Sequence, residues 1–404
     1  MKLEPSPARI ALVLGSLGAL GPLAIDMYLP ALPVIAADLH VDEGAIQLSL
    51  IAFFAGLMLG QLFYGPLSDR TGRKPMIYVG LALFIGASLG CAFAATAGQL
   101  VAWRFAQGLG GAIGMVIGLA VVRDLYMGRT AARLVAWMMI VLGVAPILAP
   151  LIGTFITSFL PWQALFVVLA LFGVASGALV GFALPETRAA ELRTPIHPDA
   201  VLHRYLHLAL SRRYIPYVAA SAIAQAGFFA YLSGSSFIFI SLHGLSPTVY
   251  SLIFALNAFG LMAGAQLGPA LMGRFQPQVI VRTALAAYTV AALALTGLEL
   301  AGGAGLVALS ALLFVVITSV SFVRPLCGVM ALEAYGAISG TAAALMGAFQ
   351  FGAGTLAALA VSLAANGTAF PMIATIAVSG TVSCLVAFSA FPKPQPLLQG
   401  GTPI

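Results

Sequence analysis

Charge is what this 404-residue chain has least of: Asp, Glu, Lys and Arg together supply 7% of the residues, as 12 acids and 18 bases. So little charge cannot coat a water-facing surface, and 61% hydrophobic residues exceed what an ordinary soluble core absorbs. Cysteine is scarce as well. Cys91, Cys327 and Cys384 lie far apart inside apolar runs, without ligand spacing or a paired framework, so neither a disulfide nor a zinc site has support. No G-x-x-x-x-G-K-[ST] loop occurs, so an ATP-driven pump would need a separate subunit. No H-E-x-x-H motif or nucleophile elbow suggests hydrolysis within a membrane, and neither a metal nor an organic cofactor is expected. Strand alternation is missing, which excludes a barrel.

Long apolar runs are what the chain does have. They fall at about 10–32, 44–65, 76–96, 99–122, 134–158 and 162–184, then at 215–241, 248–272, 279–301, 304–331, 338–364 and 369–391. Each has the roughly 20 residues that a helix rising about 1.5 Å per residue needs to cross a bilayer. The expectation is an all-α membrane protein of twelve spans, with a six-helix bundle over 1–184, a linker over 185–214 and a second bundle over 215–404. Lys2 and Arg9 before the first run read as the flank of an uncleaved span. If the N-terminus is cytoplasmic, 16 of the 18 Lys and Arg residues fall on the cytoplasmic side, the C-terminal Lys393 included, while Asp38, Asp42 and Glu43 face outward. Scattered in this way, the bases are a topology signal, and no nucleic-acid partner is expected.

The densest charge is Gly65-Pro66-Leu67-Ser68-Asp69-Arg70-Thr71-Gly72-Arg73-Lys74-Pro75, between the second and third runs. A degenerate copy, Gly268-Pro269-Ala270-Leu271-Met272-Gly273-Arg274, follows the eighth run, with Met272 at the place of Asp69. The offset is half the chain, so the two bundles read as parallel repeats with a path between them.

Charge inside a span is costly and is a functional hypothesis by default. Asp26 and Arg104 lie at a shared depth in the outward part of the bilayer and can pair. Gly15, Gly18, Pro22 and Asp26 share one face of the first span, as do Arg104, Gln107, Gly108 and Gly111 of the fourth. A buried carboxylate whose proton affinity depends on its neighbour meets the requirement of a proton-coupled cycle. Arg324, before Pro325, reads as a side chain that snorkels to the cytoplasmic end of its span. Gly143, Pro146, Pro150 and Gly153 form a small, kink-prone face of span five suited to contact between halves. Candidate cavity-lining residues are Tyr28, Gln47, Phe54, Gln61 and Gln107 in the first half, and Gln225, Phe229, Tyr231, Asn257 and Gln350 in the second.

At these residues the chain resembles a twelve-span major-facilitator drug/proton antiporter of the bicyclomycin-resistance (Bcr/CflA) group. Gly65–Lys74 resembles the loop signature after span two, and Arg104-Phe105-Ala106-Gln107-Gly108-Leu109-Gly110-Gly111-Ala112 the R-x-x-Q-G-x-G-x-A signature. Asp26-Met27-Tyr28-Leu29-Pro30-Ala31-Leu32-Pro33 resembles the group's D-x-Y-L-P-A-L-P. Span five is similar to the antiporter G-P-x-x-G-G signature, with Ala149 and Thr154 in place of two glycines. The resemblance implies a monomeric transporter in a bacterial inner membrane, exporting drug-like amphipathic compounds and using the proton gradient as its energy source. It implies that Asp26 and Arg104 couple the proton, and that Gly65, Asp69, Arg70, Gly72, Arg73 and Lys74 latch the two halves at the cytoplasmic face. A sugar or amino-acid permease on the same fold is the alternative function, and a membrane-embedded receptor a third.

Overall fold

The computed structural model describes residues 6–188, 191, 193 and 198–392, and among these there are helices and short connections but no strand. Lys2 and Lys393, two of the residues behind the orientation argument, lie outside the described residues. Twelve segments are long and apolar enough to cross a membrane. In the first half these are α1 (Pro7–Asp26) continued by α2 (Leu32–Asp38), α3 (Glu43–Thr71), α4 (Arg73–Ala92), α5 (Ala97–Leu125), α6 (Gly128–Thr157) and α7 (Gln163–Ala183). After a short linker helix, α8 (Pro198–Ala209), come α9 (Ile215–Ser236), α10 (Pro247–Leu271), α11 (Pro277–Leu300), α12 (Leu306–Leu332), α13 (Ser339–Leu363) and α14 (Phe370–Ala390).

Three boundaries differ from the apolar runs, each for a physical reason. The first span breaks at Asp26 into a 3-10 turn over Leu29–Ala31, because Pro30 and Pro33 have no N–H to continue the ladder. The charged block is not a loop: α3 runs on to Thr71, Gly72 alone breaks the chain, and α4 starts at Arg73. Polar residues there extend the helix beyond the apolar stretch, so hydropathy ends before the helix does. Last, α9 passes into a π-helical turn over Phe237–Leu242.

Tight packing within each half rests on small residues, as expected where helix association cannot draw on the hydrophobic effect. A Cβ on Gly56 would sit 2.2 Å from the Phe105 carbonyl, and one on Gly108 would sit 2.1 Å from that of Phe53, so α3 and α5 meet backbone to backbone. A Cβ on Gly114 would lie 1.9 Å from the Leu17 carbonyl, which brings α1 onto α5 in the same way.

Between the halves, α3 runs along α13 and α6 along α10. We call the end holding Gly65–Lys74 the basic end. At the opposite, far end the Ser362 hydroxyl donates to the Gly44 carbonyl at 2.8 Å, and the Thr154 and Ser251 hydroxyls bond at 2.8 Å. Midway, Phe54 meets Phe229 edge to face with centroids 4.4 Å apart. Nearer the basic end Gln61 packs on Gly347, and the Arg123 guanidinium donates to the Ser339 hydroxyl at 3.0 Å.

Candidate transport site

Arg104 is completely buried inside the first half. Its Nη1 donates to the Gln107 Oε1 at 2.6 Å and to the Ala24 carbonyl at 3.0 Å. That carbonyl is available because the α1 ladder fails there: the Tyr28 N–H bonds to the Ile25 carbonyl instead. Gln107 in turn donates to the Ser88 hydroxyl at 2.8 Å, tying the arginine to α4. The guanidinium carbon stands 4.2 Å from the Phe53 ring centroid and 4.6 Å from that of Tyr28, a cation–π sandwich in place of a counter-ion. Nε and Nη2 have no hydrogen-bond partner among the described residues.

Asp26, only 4% exposed, forms no ion pair or hydrogen bond among the described residues. The expected Asp26–Arg104 pair is therefore absent from this structure. The guanidinium is committed to α1, α3 and α4 inside the first half, whereas Asp26 ends α1 just before the Leu29–Ala31 turn, which packs against α9 and α10 of the second half.

The second half presents an aromatic and neutral-polar wall. Tyr231 stacks on Phe254 with centroids 5.8 Å apart and accepts a hydrogen bond from the Asn257 amide at 3.0 Å. Phe229 touches Phe54 of the first half and Phe351 of α13. Other candidates are bound elsewhere: Gln350 donates to Ser221 at 2.9 Å, Gln47 to Glu43 at 3.0 Å, and the Tyr28 hydroxyl is tied to Ser49 at 2.7 Å. Gln107 belongs to the mount of Arg104, Gln61 lies nearer the basic end against Gly347, and Gln225 is buried.

The basic-end block was expected to bridge the halves, and in this structure its bonds stay within the first. Arg73 contacts Asp69 at 2.8 Å, Asp124 at 3.0 Å and the Ser68 hydroxyl at 2.6 Å. Glu186, just beyond α7, accepts from the Arg73 and Lys74 backbone N–H groups at 2.9 and 3.1 Å, capping α4 where the helix dipole favours an anion. The Lys74 ammonium donates to the Leu184 carbonyl at 2.8 Å. Gly72 holds φ at +102°, and a Cβ there would lie 2.7 Å from a Glu186 oxygen, so the position needs glycine on both counts. Arg70 is exposed and Gly65 makes only an ordinary contact with Val116. The block thus fastens α3, α4, α5 and the end of α7 together through Arg73 and Lys74, whose donors find acceptors there.

Span five also divides its face. Gly143 meets Met262, and the Pro150 carbonyl accepts from Ser251 at 3.2 Å, both across the halves, whereas Gly153 packs on the Met27 carbonyl of its own half. Thr154, where the antiporter signature carries glycine, makes the hydroxyl bridge to Ser251. Sequence reasoning missed Asp124 and Glu186 as the partners of Arg73, although acids are so few that any at this end was a candidate.

Twelve membrane-length helices in two packed halves, with an acid at their junction, define a multi-pass membrane transporter and not an enzyme. The Major Facilitator Superfamily description matches residues 14–358, and the chain belongs to that superfamily. It is 32% identical to the uncharacterized MFS-type transporter YdgK of Bacillus subtilis, over 94% of both chains. It is 30% identical to the bicyclomycin resistance protein homolog of Haemophilus influenzae, over 96% of this chain and 97% of that one. The multidrug resistance protein MdtL of Escherichia coli is 34% identical over 68% of this chain and 69% of its own. Among solved structures, the D-xylose-proton symporter superposes with a TM-score of 0.74 at 16% identity, covering 95% of this chain and 98% of that one, which is a likeness of fold.

Proposed function

We propose that the protein exports drug-like amphipathic compounds across a bacterial inner membrane in exchange for protons, acting as a monomer by alternating access. The observation that carries this is Asp26: buried, unpaired and set at the junction of the halves, it is an acid whose protonation can follow which side of the membrane it faces. The names of two relatives, a bicyclomycin resistance protein homolog and a multidrug resistance protein, support export of antibiotic-like compounds. The Phe54, Phe229, Tyr231 and Phe254 rings offer stacking surfaces suited to such compounds. Sugar recognition would draw instead on free amides, and Asn257 and Gln350 are engaged with Tyr231 and Ser221.

In this reading the basic end is cytoplasmic, as the distribution of Lys and Arg favours. Arg104 serves the coupling by holding the end of α1 in place through the Ala24 carbonyl, two residues before Asp26. The test is a drug-susceptibility panel in cells lacking their own efflux pumps. Expression is expected to raise tolerance to some amphipathic antibiotics, with Asp26→Asn at equal expression giving none. Unchanged susceptibility to every compound while metabolite uptake rises would support a permease and overturn the export reading.

A further inference from the structure

Arg324, well inside α12, belongs neither to the proton cycle nor to the basic-end network. It lies eight residues before the end of α12, about 12 Å along the helix from the basic end. The lipid-facing side of α12 is marked by Val307, Val315 and Val329, which are 82%, 40% and 53% exposed. Arg324 is nine residues beyond Val315, so at roughly 100° per residue it points to the opposite side of the helix. Its neighbours Val320, Val323, Leu326 and Cys327 are buried. Arg324 itself is exposed on this otherwise buried side of the helix. A side chain that is exposed on the face of the helix turned away from lipid opens into the space between the helices. The expected snorkelling toward the basic end does not account for this position, since a snorkelling arginine is reached along the lipid-facing side.

No partner occupies it. Arg324 forms no hydrogen bond or ion pair among the described residues, and its nearest acid in sequence is Glu333, at the end of the helix. Pro325 removes the donor that would have closed the turn at the Ser321 carbonyl, which loosens the helix beside it. Counted over the interiors of the spans, the charges are Arg104, Arg324 and Asp26, two cations against one acid. A protein that retains an uncompensated guanidinium in that space has a binding site for an anion.

Resting on the export reading, we propose that Arg324 receives the anionic group, a carboxylate or sulfonate, of an amphipathic aromatic compound entering from the basic end. The ring system of such a compound would lie toward the aromatic wall and its charge on Arg324. The site thus selects for anionic or zwitterionic substrates over neutral isosteres.

Two dyes that differ only by a sulfonate test this: 8-anilinonaphthalene-1-sulfonate and N-phenyl-1-naphthylamine. Their binding to the purified full-length protein is measured in neutral detergent, with binding to empty micelles subtracted. Arg324→Gln is expected to weaken the sulfonate dye by about tenfold or more and to leave the neutral dye within about twofold, and Arg324→Lys to restore part of the loss. No change for the sulfonate dye, or an equal fall for both dyes, would overturn the proposal. Displacement of the sulfonate dye by equimolar phosphatidylglycerol, but not by phosphatidylethanolamine, would make the occupant a lipid headgroup and overturn it as well. The export reading is judged separately: Arg324-dependent binding in a protein that exports nothing keeps the anion site and discards export, and Arg324-independent binding in an active exporter does the reverse.

Discussion

The two halves share a layout and differ in what they do with charge. The first half gathers Asp69, Arg73, Lys74, Asp124 and Glu186 into a network that joins four of its helices at the basic end. The matching place in the second half, Gly268–Arg274, has Met272 where the acid would be and shows no ion pair among the described residues. Contacts between the halves are of another kind again: single hydrogen bonds such as Thr154–Ser251, Ser362–Gly44 and Arg123–Ser339, with apolar packing around them. A neutral hydrogen bond contributes about 1 kcal/mol net and one to a charged group about 1.5–3 kcal/mol, and Arg73 alone makes such contacts with Asp69, Asp124 and Ser68. The difference teaches that the first half is braced by charge at one end, while the seam between the halves is held by weaker single bonds, as the proposed alternating access would need.

The largest effect should come from breaking the brace. Arg73→Ala removes the bonds to Asp69, Asp124 and Ser68 and frees the α3–α4 corner, and because both acids are partly exposed it is expected to cost about 2–3 kcal/mol. The thermal unfolding midpoint of the purified protein should fall markedly, and transport should fall with it. Gly72→Ala strains the backbone at positive φ and crowds Glu186, with an expected loss of about 1–3 kcal/mol in the same measurement. If Gly72→Ala unfolds at the wild-type temperature, the glycine is not what seats Glu186.

Weaker changes probe the seam. Thr154→Val deletes the hydroxyl bridge to Ser251 and should favour opening at the far end by about 1 kcal/mol, roughly fivefold in population. A cysteine at the buried Met27, in a background without native cysteines, should then react faster with an impermeant maleimide added from outside, while the unfolding midpoint barely moves. Tyr205→Phe is the neighbouring case at the basic end. The Tyr205 hydroxyl of α8 donates to the Leu62 carbonyl at 3.0 Å, an acceptor left open because Pro66 has no N–H, and burial pushes the phenol up to about 12. Its loss should cost about 1 kcal/mol with no pH dependence near neutrality, since the phenol stays protonated there. Smallest of all is the contrast between repeats: Asp69→Asn should impair transport more than Arg274→Ala, and equal losses would erase the distinction drawn between the halves.

Much of this was legible in the sequence. The twelve spans follow from apolar length, and the Gly65–Lys74 block, Asp26 and Arg104 stand out because charge is so rare. What was not legible is where each charge points. Helical period places Arg104 beside Gln107 but says nothing of the broken α1 ladder that offers the Ala24 carbonyl, so a shared depth suggested a pair where the structure has two separate sites. Partners more than 100 residues away, such as Glu186 for Arg73, depend on how α4 and α7 pack, and local pattern cannot supply that. Arg324 shows the same limit, since its depth was readable and its exposure on the inward side of α12 was not.

Drug export from proteoliposomes under an imposed proton gradient, beside exchange of the same labelled drug with no gradient, tests the account at its centre. If Asp26 couples the proton as proposed, Asp26→Asn should abolish gradient-driven accumulation while drug-for-drug exchange continues. Gradient-driven accumulation that persists in Asp26→Asn would contradict the assignment of Asp26 as the coupling acid.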